Sequence, residues 1–437
     1  MDWAVVLILV FSGFLVLLAA GMPVAFGFLL VNIIGMALIV GPEATLMQIT
    51  HNIFDILTSF TLLPMVLFIL MGEITFTTGT AERMIDTVDQ WLGHLPGRLG
   101  LLAVAAGTVL STLTGVPMAS VAILGQTLVP EMEKRGYKKS MSLGPVLGSG
   151  GLAMMIPPSS MAILIGVLGD ISIGKLLIAI IVPGLLMAVT YFLYIVIRCS
   201  LQPHLAPPYD PPTRPLSQKL KITARNVLPL IFIIFSVMGL ILVGVATPSE
   251  AAATGAFACL LVGFYYRGVT WKASKKIVMA TASVSVMVMM IVMTSSVYSQ
   301  LLAYTGATAG LATFIDNMDT STVVIFLAVQ IIPLVLGMFM GATAVIMLSI
   351  PVVMPIILVA GIDPVVYGVT LLICAEIGTI SPPYGLSLFI MKAIAPPGTT
   401  MKDVYMSALP YCYMNVVIVA LIILVPQIAL WLPNMFK

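Results

Sequence analysis

Residues 148–151 read GSGG and residues 157–160 read PPSS, and together they interrupt an otherwise apolar stretch of the chain. Residues 378–383 read GTISPP and interrupt a second apolar stretch. Four residues in or before the first stretch have an identical residue 225 positions later in the chain. The pairs are Pro130 with Pro355, Gly136 with Gly361, Pro157 with Pro382, and Pro158 with Pro383. Because the matches keep the same order, they indicate an internal repeat.

The composition assigns the chain to the membrane. Of its 437 residues, 60% are apolar and 8% are charged, whereas an ordinary soluble domain carries about 25% charged residues. So few charges exclude a soluble enzyme, a nucleic-acid-binding protein and a disordered scaffold. A helix needs about 20 apolar residues to cross the hydrocarbon, and this chain has enough of them to predict an all-α polytopic membrane protein.

The pattern of apolar and polar segments predicts the domain organisation. Amphipathic stretches at 43–59, 81–94 and 305–320 predict helices that lie at the membrane interface. Prolines at 207–208 and 211–212 predict a non-helical linker at 202–225. The predicted units are helices in 1–80 and 226–303, a first repeat in 81–200, a cytoplasmic linker in 201–225, and a second inverted repeat in 304–437.

The basic residues predict the orientation. Suppose that the segment pairs 97–113 with 117–132 and 321–338 with 344–360 are hairpins whose ends return to one side. Then 17 of the 19 Lys and Arg residues share a face, with Lys175 and Lys437 opposite. That face is predicted to be cytoplasmic, with both termini periplasmic. Two full crossings would give the same count, so re-entrance rests on the breaks. With re-entrance, the two hairpins open to opposite sides and the repeats are inverted.

A broken helix inside a bilayer predicts a binding site. Each backbone group left without a partner in hydrocarbon costs several kcal/mol, so a break persists only where protein or a wet cavity satisfies it. Freed carbonyl groups suit a small cation, and half-helix N-termini suit an anion. Two matched breaks therefore indicate a secondary-transporter site near the bilayer centre. The alternative is that these Gly and Pro residues serve packing and kinks.

Nine short stretches give the chain a resemblance to a known family. They are 21–26 (GMPVAF), 67–73 (LFILMGE), 92–97 (LGHLPG), 128–132 (LVPEM), 136–137 (GY), 156–159 (IPPS), 246–252 (ATPSEAA), 376–378 (EIG) and 381–385 (SPPYG). In order and spacing they resemble the large membrane subunit of the tripartite ATP-independent periplasmic (TRAP) transporters, over nearly the whole chain.

The resemblance implies a fold and a function. The fold would be an inverted-repeat, elevator-type transporter with two re-entrant hairpins and two discontinuous helices. Residues 1–80 and 226–303 would be scaffold helices, and the two repeats, 81–200 and 304–437, would form a transport domain. The function would be sodium-coupled uptake of an organic acid, such as a C4-dicarboxylate or sialic acid, across a bacterial inner membrane. A periplasmic binding protein would deliver the substrate, and a small four-helix membrane subunit would brace the large one. Na⁺ would be the coupling ion, with no other cofactor and no nucleic-acid partner.

The resemblance also implies two sodium sites, each where a hairpin tip meets its broken helix. The first would comprise Ser111, Thr114, Gly115, Gly150, Gly151, Pro158 and Ser159. The second would comprise Gly337, Gly341, Thr343, Gly378, Thr379 and Ser381. Substrate would lie between the tips near Thr114, Ser160, Thr343 and Ser387. The first tip reads TGVP at 114–117 where the family usually has a sequence like SGSS, and Gly341 stands where an acidic residue is frequent.

Other interpretations remain open. Glu376 is an acid deep in an apolar segment, where a charge is costly and usually functional; it could be a proton relay, a partner of a sodium site or a hydrogen-bonding group at the break. The chain could also be a self-sufficient ion-coupled carrier of the same fold that needs no binding protein. An intramembrane enzyme that acts on lipid and a structural subunit that transports nothing are the rivals from other classes. The sequence contains no HExxH, GxSxG or P-loop motif.

Overall fold

The computed structural model of the chain describes residues 2–114, 117–208, 215–266, 268–317 and 320–436, without the side chains of 80–82, 84 and 111–114. Its described residues form helices and connecting turns and contain no β-strand. In chain order the α-helices are α1 Trp3–Ala19, α2 Val24–Val40, α3 Pro42–Leu57, α4 Leu63–Thr77, α5 Thr80–Asp89, α6 Arg98–Thr114, α7 Pro117–Lys134, α8 Lys139–Ser142, α9 Gly144–Met155, α10 Ser160–Leu168, α11 Ile173–Ala179, α12 Ile181–Leu201, α13 Leu216–Ile234, α14 Leu240–Leu242, α15 Pro248–Tyr265, α16 Trp271–Tyr304, α17 Ala307–Asp316, α18 Thr322–Gly337, α19 Ala342–Val359, α20 Pro364–Ile380, α21 Leu386–Ile394, α22 Met401–Leu424 and α23 Gln427–Met435. Short 3₁₀ segments lie at Phe60–Leu62 and Pro203–Leu205, and a π-helical turn at Phe235–Gly239 joins α13 to α14.

Both predicted interruptions are confirmed. Ile156, which precedes Pro157, is extended, because a residue before proline disfavours the helical conformation. The Ser159 side chain then caps α10 by accepting a hydrogen bond from the backbone N–H of Ala162 at 3.2 Å. The chain bends by 46° between the helical stretch that ends at Met155 and α10. In the second repeat, Ser381 is extended before Pro382 and separates α20 from α21.

The two repeats pack in the same way. The paired helices α6 and α7 pack on α9, and the paired helices α18 and α19 pack on α20. The repeats also interlock, since α7 lies beside α21 of the second repeat and α10 lies beside α19. Helices α9 and α20, which are the first halves of the two interrupted helices, contact each other. The core of the molecule is therefore shared between the two repeats.

The helix lengths confirm a polytopic membrane protein. Within the described residues, six helices are long and apolar enough to cross a bilayer, or seven if the bent pair formed by 139–155 and α10 counts as one span. Shorter apolar helices include α1, α2, α18 and α20. The depth of the hairpins in the bilayer and the side of each terminus stay predictions.

The predicted interfacial segments form separate helices, namely α3, α5 and α17. Helix α5 is tied to the base of the first hairpin by Arg98, whose Nη2 lies 2.8 Å from the Asp89 carboxylate and also donates to the Asp89 carbonyl oxygen. The prediction that proline keeps the whole of 202–225 non-helical is wrong from Leu216 onward, because α13 begins there. Pro215 is the last proline before that helix, and the ten residues 216–225 contain none.

The long helix α16 contacts the second hairpin. The Ser295 hydroxyl on α16 donates a hydrogen bond to the carbonyl oxygen of Met347 on α19 at 3.1 Å. Elsewhere α16 packs on α2, α3 and α4, and Asn32 of α2 donates to the Thr294 carbonyl oxygen at 2.7 Å. Helix α16 thus lies between the other scaffold helices and the second repeat.

Candidate functional site

The second hairpin meets its broken helix through two glycines. A Cβ placed on Gly378 would lie 2.4 Å from Cα of Gly337, and a Cβ placed on Gly337 would lie 2.7 Å from Cα of Gly378. Only glycine permits this approach of two backbones. The break is also held to the hairpin tip by a hydrogen bond from the Tyr384 N–H to the Met338 carbonyl oxygen at 3.1 Å. Residues 337 and 378, which the family resemblance assigns to one sodium site, are therefore in contact, and the ion site itself stays a prediction.

Carbonyl oxygens converge at the break between α20 and α21. A Cβ placed on Gly385 would lie 2.6 Å from the Thr379 carbonyl oxygen and 2.8 Å from the Ser381 carbonyl oxygen. The Ser381 side chain is 8% exposed, and its hydroxyl has no hydrogen-bond partner among the described residues. The Thr379 hydroxyl donates to the Glu376 carbonyl oxygen at 2.9 Å, so its lone pairs stay available. Such a set of neutral oxygens fits a small alkali cation, which unwound backbone carbonyls coordinate in transporters.

The remaining residues predicted for this side lie nearer the hairpin tip. A Cβ on Gly341 would lie 3.0 Å from Cδ1 of Leu386, and the Thr343 hydroxyl lies 3.8 Å from Sδ of Met161 on α10. The Ser387 side chain is 1% exposed, and its hydroxyl lacks a hydrogen-bond partner within the described part of the chain. The N-termini of α10 and α19 therefore lie side by side, and a third half-helix, α21, begins next to Gly341.

The first predicted site is only partly within the described residues. Gly115 lies outside them, and the side chains of Ser111 and Thr114 fall outside the description. Gly150 is brought to the first turn of α7, since a Cβ there would lie 2.2 Å from Cγ2 of Val121 and 3.4 Å from the Pro117 carbonyl oxygen. Pro158 and Ser159 are buried in the break between α9 and α10, and Ser160 is buried in the first turn of α10.

Gly151 faces the other repeat. A Cβ placed on Gly151 would lie 1.9 Å from Oε1 of Glu376. The Glu376 side chain is 0% exposed, and it accepts a hydrogen bond from Nδ2 of Asn415 on α22 at 3.2 Å and lies 3.4 Å from the Tyr191 hydroxyl on α12. Sequence reasoning proposed Glu376 but missed Tyr191 and Asn415. Both are polar residues in otherwise apolar helices, and this could have marked them as partners of a buried acid, because polar side chains inside a bilayer pair with one another.

Replacement of Ser381 by alanine tests whether its hydroxyl binds a cation or is only a buried polar group without a hydrogen-bond partner among the described residues. A buried hydroxyl without a hydrogen bond costs about 1–3 kcal/mol, so Ser381→Ala should be as stable as the wild type or more stable in choline chloride. In sodium chloride the variant should gain less stability than the wild type, with a sodium affinity that is roughly three- to tenfold weaker, because one oxygen ligand of about 1 kcal/mol is gone. Thermal unfolding midpoints at increasing sodium concentration measure both effects.

The matched control for this prediction is Ser12→Ala on α1, where the exposed hydroxyl donates to the Leu9 carbonyl oxygen. Its sodium response should equal that of the wild type. A Ser381→Ala protein with an unchanged sodium response would remove the hydroxyl from the ligand set.

Two helix pairs, each packed on an interrupted helix, form the arrangement of a secondary membrane transporter. The chain belongs to the family described as the tripartite ATP-independent periplasmic transporter, DctM component, whose pattern matches residues 11–428. This family consists of transporter permeases, not enzymes.

Relatives agree with this assignment, and a solved structure has a similar fold. The chain is 31% identical to the C4-dicarboxylate TRAP transporter large permease protein DctM of Pseudomonas aeruginosa over 388 residues, which cover 88% of each chain. It is 28% identical to the sialic acid TRAP transporter large permease protein SiaM of Vibrio cholerae, with 97% of each chain covered. The fold is similar to the crystal structure of the YdaH transporter of Alcanivorax borkumensis, with a TM-score of 0.60 at 14% identity and with 90% of this chain and 89% of that chain covered.

Proposed function

We propose that the protein is the large subunit of a sodium-coupled uptake system for an organic acid in a bacterial inner membrane, with both termini in the periplasm. A periplasmic binding protein delivers the substrate, and a small four-helix membrane subunit stabilises the large one. The substrate is a carboxylate, of the kind named for the relatives that take C4-dicarboxylates and sialic acid.

The observation that carries the sodium coupling is the oxygen-lined break between α20 and α21. The carbonyl oxygens of Thr379 and Ser381 both lie within 3 Å of the place that a Cβ on Gly385 would take. The Ser381 carbonyl oxygen accepts a hydrogen bond from the Gly385 N–H at 3.1 Å, and the buried Ser381 hydroxyl lacks a partner among the described residues. The Gly337–Gly378 contact brings the C-terminal end of α18 against the same segment, and the last carbonyl groups of a helix have no partner within the helix. Hairpin and break thus supply a cation site together, so that a bound ion stabilises the closed hairpin.

The binding of an anionic substrate is supported by the half-helices. The N-termini of α10 and α19 are neighbours through Met161 and Thr343, and α21 begins with the buried Ser387 in its first turn. Helix N-termini attract anions, because their first N–H groups are unpaired and the helix dipole is positive there. A carboxylate between these N-termini would be held by N–H and hydroxyl groups without a basic side chain, and a neighbouring sodium ion would balance its charge.

Alternating access is supported by the division of the contacts. Both hairpins pack on the two broken helices, which also contact each other. Helices α2, α4, α15 and α16 form a second group whose members pack on one another. Movement of the first group as a rigid body against the second would carry ion and substrate across without opening the shared core, which is elevator-type transport.

Reconstitution tests the proposal. Proteoliposomes that contain this chain and its small subunit, with the binding protein and a radiolabelled carboxylate outside, should accumulate substrate when sodium is higher outside. Replacement of sodium by choline, or omission of the binding protein, should reduce uptake to the level of empty liposomes. Uptake by this chain alone under a proton gradient would contradict the proposal and support the self-sufficient carrier.

A further inference from the structure

Glu376 links four helices of the transport domain. It lies in α20, is 0% exposed, and stands two residues before Gly378 and three before Thr379. Its Oε1 accepts from Nδ2 of Asn415 at 3.2 Å and lies 3.4 Å from the Tyr191 hydroxyl, and that hydroxyl lies 2.5 Å from Oδ1 of Asn415. We call Glu376, Tyr191 and Asn415 the axial cluster.

The axial cluster joins the two repeats. Tyr191 belongs to α12, the last helix of the first repeat, whereas Glu376 and Asn415 belong to α20 and α22 of the second. The side-chain rings of Tyr191 and Tyr411 pack edge to face with their centroids 5.0 Å apart, which adds a second contact between α12 and α22. The hydrogen bonds therefore connect the first repeat to the second, whose equivalent residues stand 225 positions apart in the sequence.

Gly151 supplies the fourth side of this arrangement. Residue 376 is the repeat equivalent of residue 151, since they too stand 225 positions apart. The two positions touch, because a Cβ on Gly151 would lie 1.9 Å from Oε1 and 2.3 Å from Cδ of Glu376. Equivalent residues meet where a two-fold relation between repeats has its axis, and here one repeat supplies the carboxyl group and the other supplies the space for it.

Both predicted cation sites lie within a few residues of this contact. On one side, Gly150 directly precedes Gly151 in α9 and packs on the first turn of α7. On the other side, the Glu376 carbonyl oxygen accepts from the Thr379 hydroxyl at 2.9 Å, and Gly378 packs on Gly337 of the second hairpin. A displacement of α20 at Glu376 is therefore transmitted to the second site, and a displacement of α9 at Gly151 is transmitted to the first.

We propose that Glu376 is a positioning residue that couples the two sodium sites, so that occupation of one orders the backbone of the other. The proposal rests on the sodium coupling proposed above. Glu376 touches neither substrate nor ion in this role; it fixes the relative position of α9 and α20 through Tyr191, Asn415 and Gly151. Sites coupled in this way bind their ions cooperatively.

Sodium-dependent thermal unfolding of the purified full-length chain tests the coupling. The midpoint is recorded against sodium chloride, with choline chloride holding the ionic strength constant. The wild type should respond sigmoidally with a Hill coefficient above 1 and approaching about 2. In Tyr191→Phe and Glu376→Ala the coefficient should fall to about 1, with half-saturation at several-fold higher sodium. Glu376→Gln keeps an acceptor oxygen and the volume of the side chain, and should retain the wild-type coefficient.

A matched control separates positioning from general loss of packing. Tyr367→Phe, also in α20, removes a fully buried hydroxyl that has no hydrogen-bond partner among the described residues. It should leave the Hill coefficient unchanged. If Glu376→Ala fails to fold, Tyr191→Phe and Tyr367→Phe still decide the question, because each removes one oxygen atom and keeps the ring.

The outcomes are distinguishable. A wild-type chain without any specific sodium response overturns the sodium coupling and this inference with it. A wild-type chain that responds to sodium without cooperativity, or a Tyr191→Phe chain that keeps full cooperativity, overturns the positioning role of Glu376 alone and leaves the sodium coupling intact.

Discussion

Gly378→Ala should reduce sodium-driven uptake to less than about one tenth of the wild-type rate. The new methyl group would lie 2.4 Å from Cα, 2.8 Å from the carbonyl carbon and 2.9 Å from the carbonyl oxygen of Gly337. All three are backbone atoms, so no side-chain rotation relieves the overlap. Overpacking of this kind costs about 1–3 kcal/mol, and the second hairpin can avoid the cost by moving away from α20. That movement opens the proposed cation site, and uptake into proteoliposomes measures the loss.

The control for this variant is Gly13→Ala on α1, where a Cβ would meet no atom within 4 Å. It should transport at the wild-type rate. Gly337→Ala should resemble Gly378→Ala, since its Cβ would lie 2.7 Å from Cα of Gly378, and the double variant should be little worse than either single one because one contact is lost in all three. Wild-type uptake by Gly378→Ala would refute the requirement for close contact between hairpin and break.

Gly385→Ala should raise the sodium concentration for half-maximal uptake by about tenfold or more, which corresponds to about 1.4 kcal/mol of binding free energy. The backbone of Gly385 has φ −54°, a conformation that alanine adopts freely, so the effect arises from the occupied space. Its Cβ would lie 2.6 Å and 2.8 Å from the Thr379 and Ser381 carbonyl oxygens and would force them apart. The measurement is uptake against external sodium at a saturating concentration of the loaded binding protein.

A second measurement makes this prediction specific. The unfolding midpoint of Gly385→Ala in choline chloride should fall modestly, while the increase on addition of sodium should largely disappear. If Gly385→Ala lowers stability by the same amount in both salts and keeps its sodium affinity, the convergent oxygens of this break do not bind sodium.

Local sequence signals predicted the parts of the fold that depend on local chemistry. Proline restricts itself and the residue before it, so the breaks at Pro157 and Pro382 were visible without any tertiary information. The same rule misled at residues 216–225, where the prolines end and α13 begins with Leu216. The apolar stretch 404–431 likewise belongs to two helices, because the chain leaves α22 at Leu424 just before Pro426.

The sequence could predict which segments of backbone form the site, but not which side chains meet there. The glycines and hydroxyl residues at the second break were named from the family resemblance, and the general reason to expect a site there is that a break in a bilayer needs partners for its freed carbonyls. The contact of Glu376 with Tyr191 and Asn415 could not be predicted, because Tyr191 lies 185 positions from Glu376 and no periodicity links them. Residues 151 and 376 are also 225 positions apart, yet only packing shows that these two positions touch.

Within the described residues, the hydrogen bond from Ser295 to Met347 is the single side-chain hydrogen bond between α16 and α19. The buried side chains of these helices are otherwise largely apolar, and a neutral hydrogen bond contributes about 1 kcal/mol net. In the rigid-body movement proposed above, so few polar contacts between α16 and α19 would cost little to break. The direction of net substrate transport would then depend on the ion and substrate gradients across the membrane, and the protein would export substrate when these gradients are reversed.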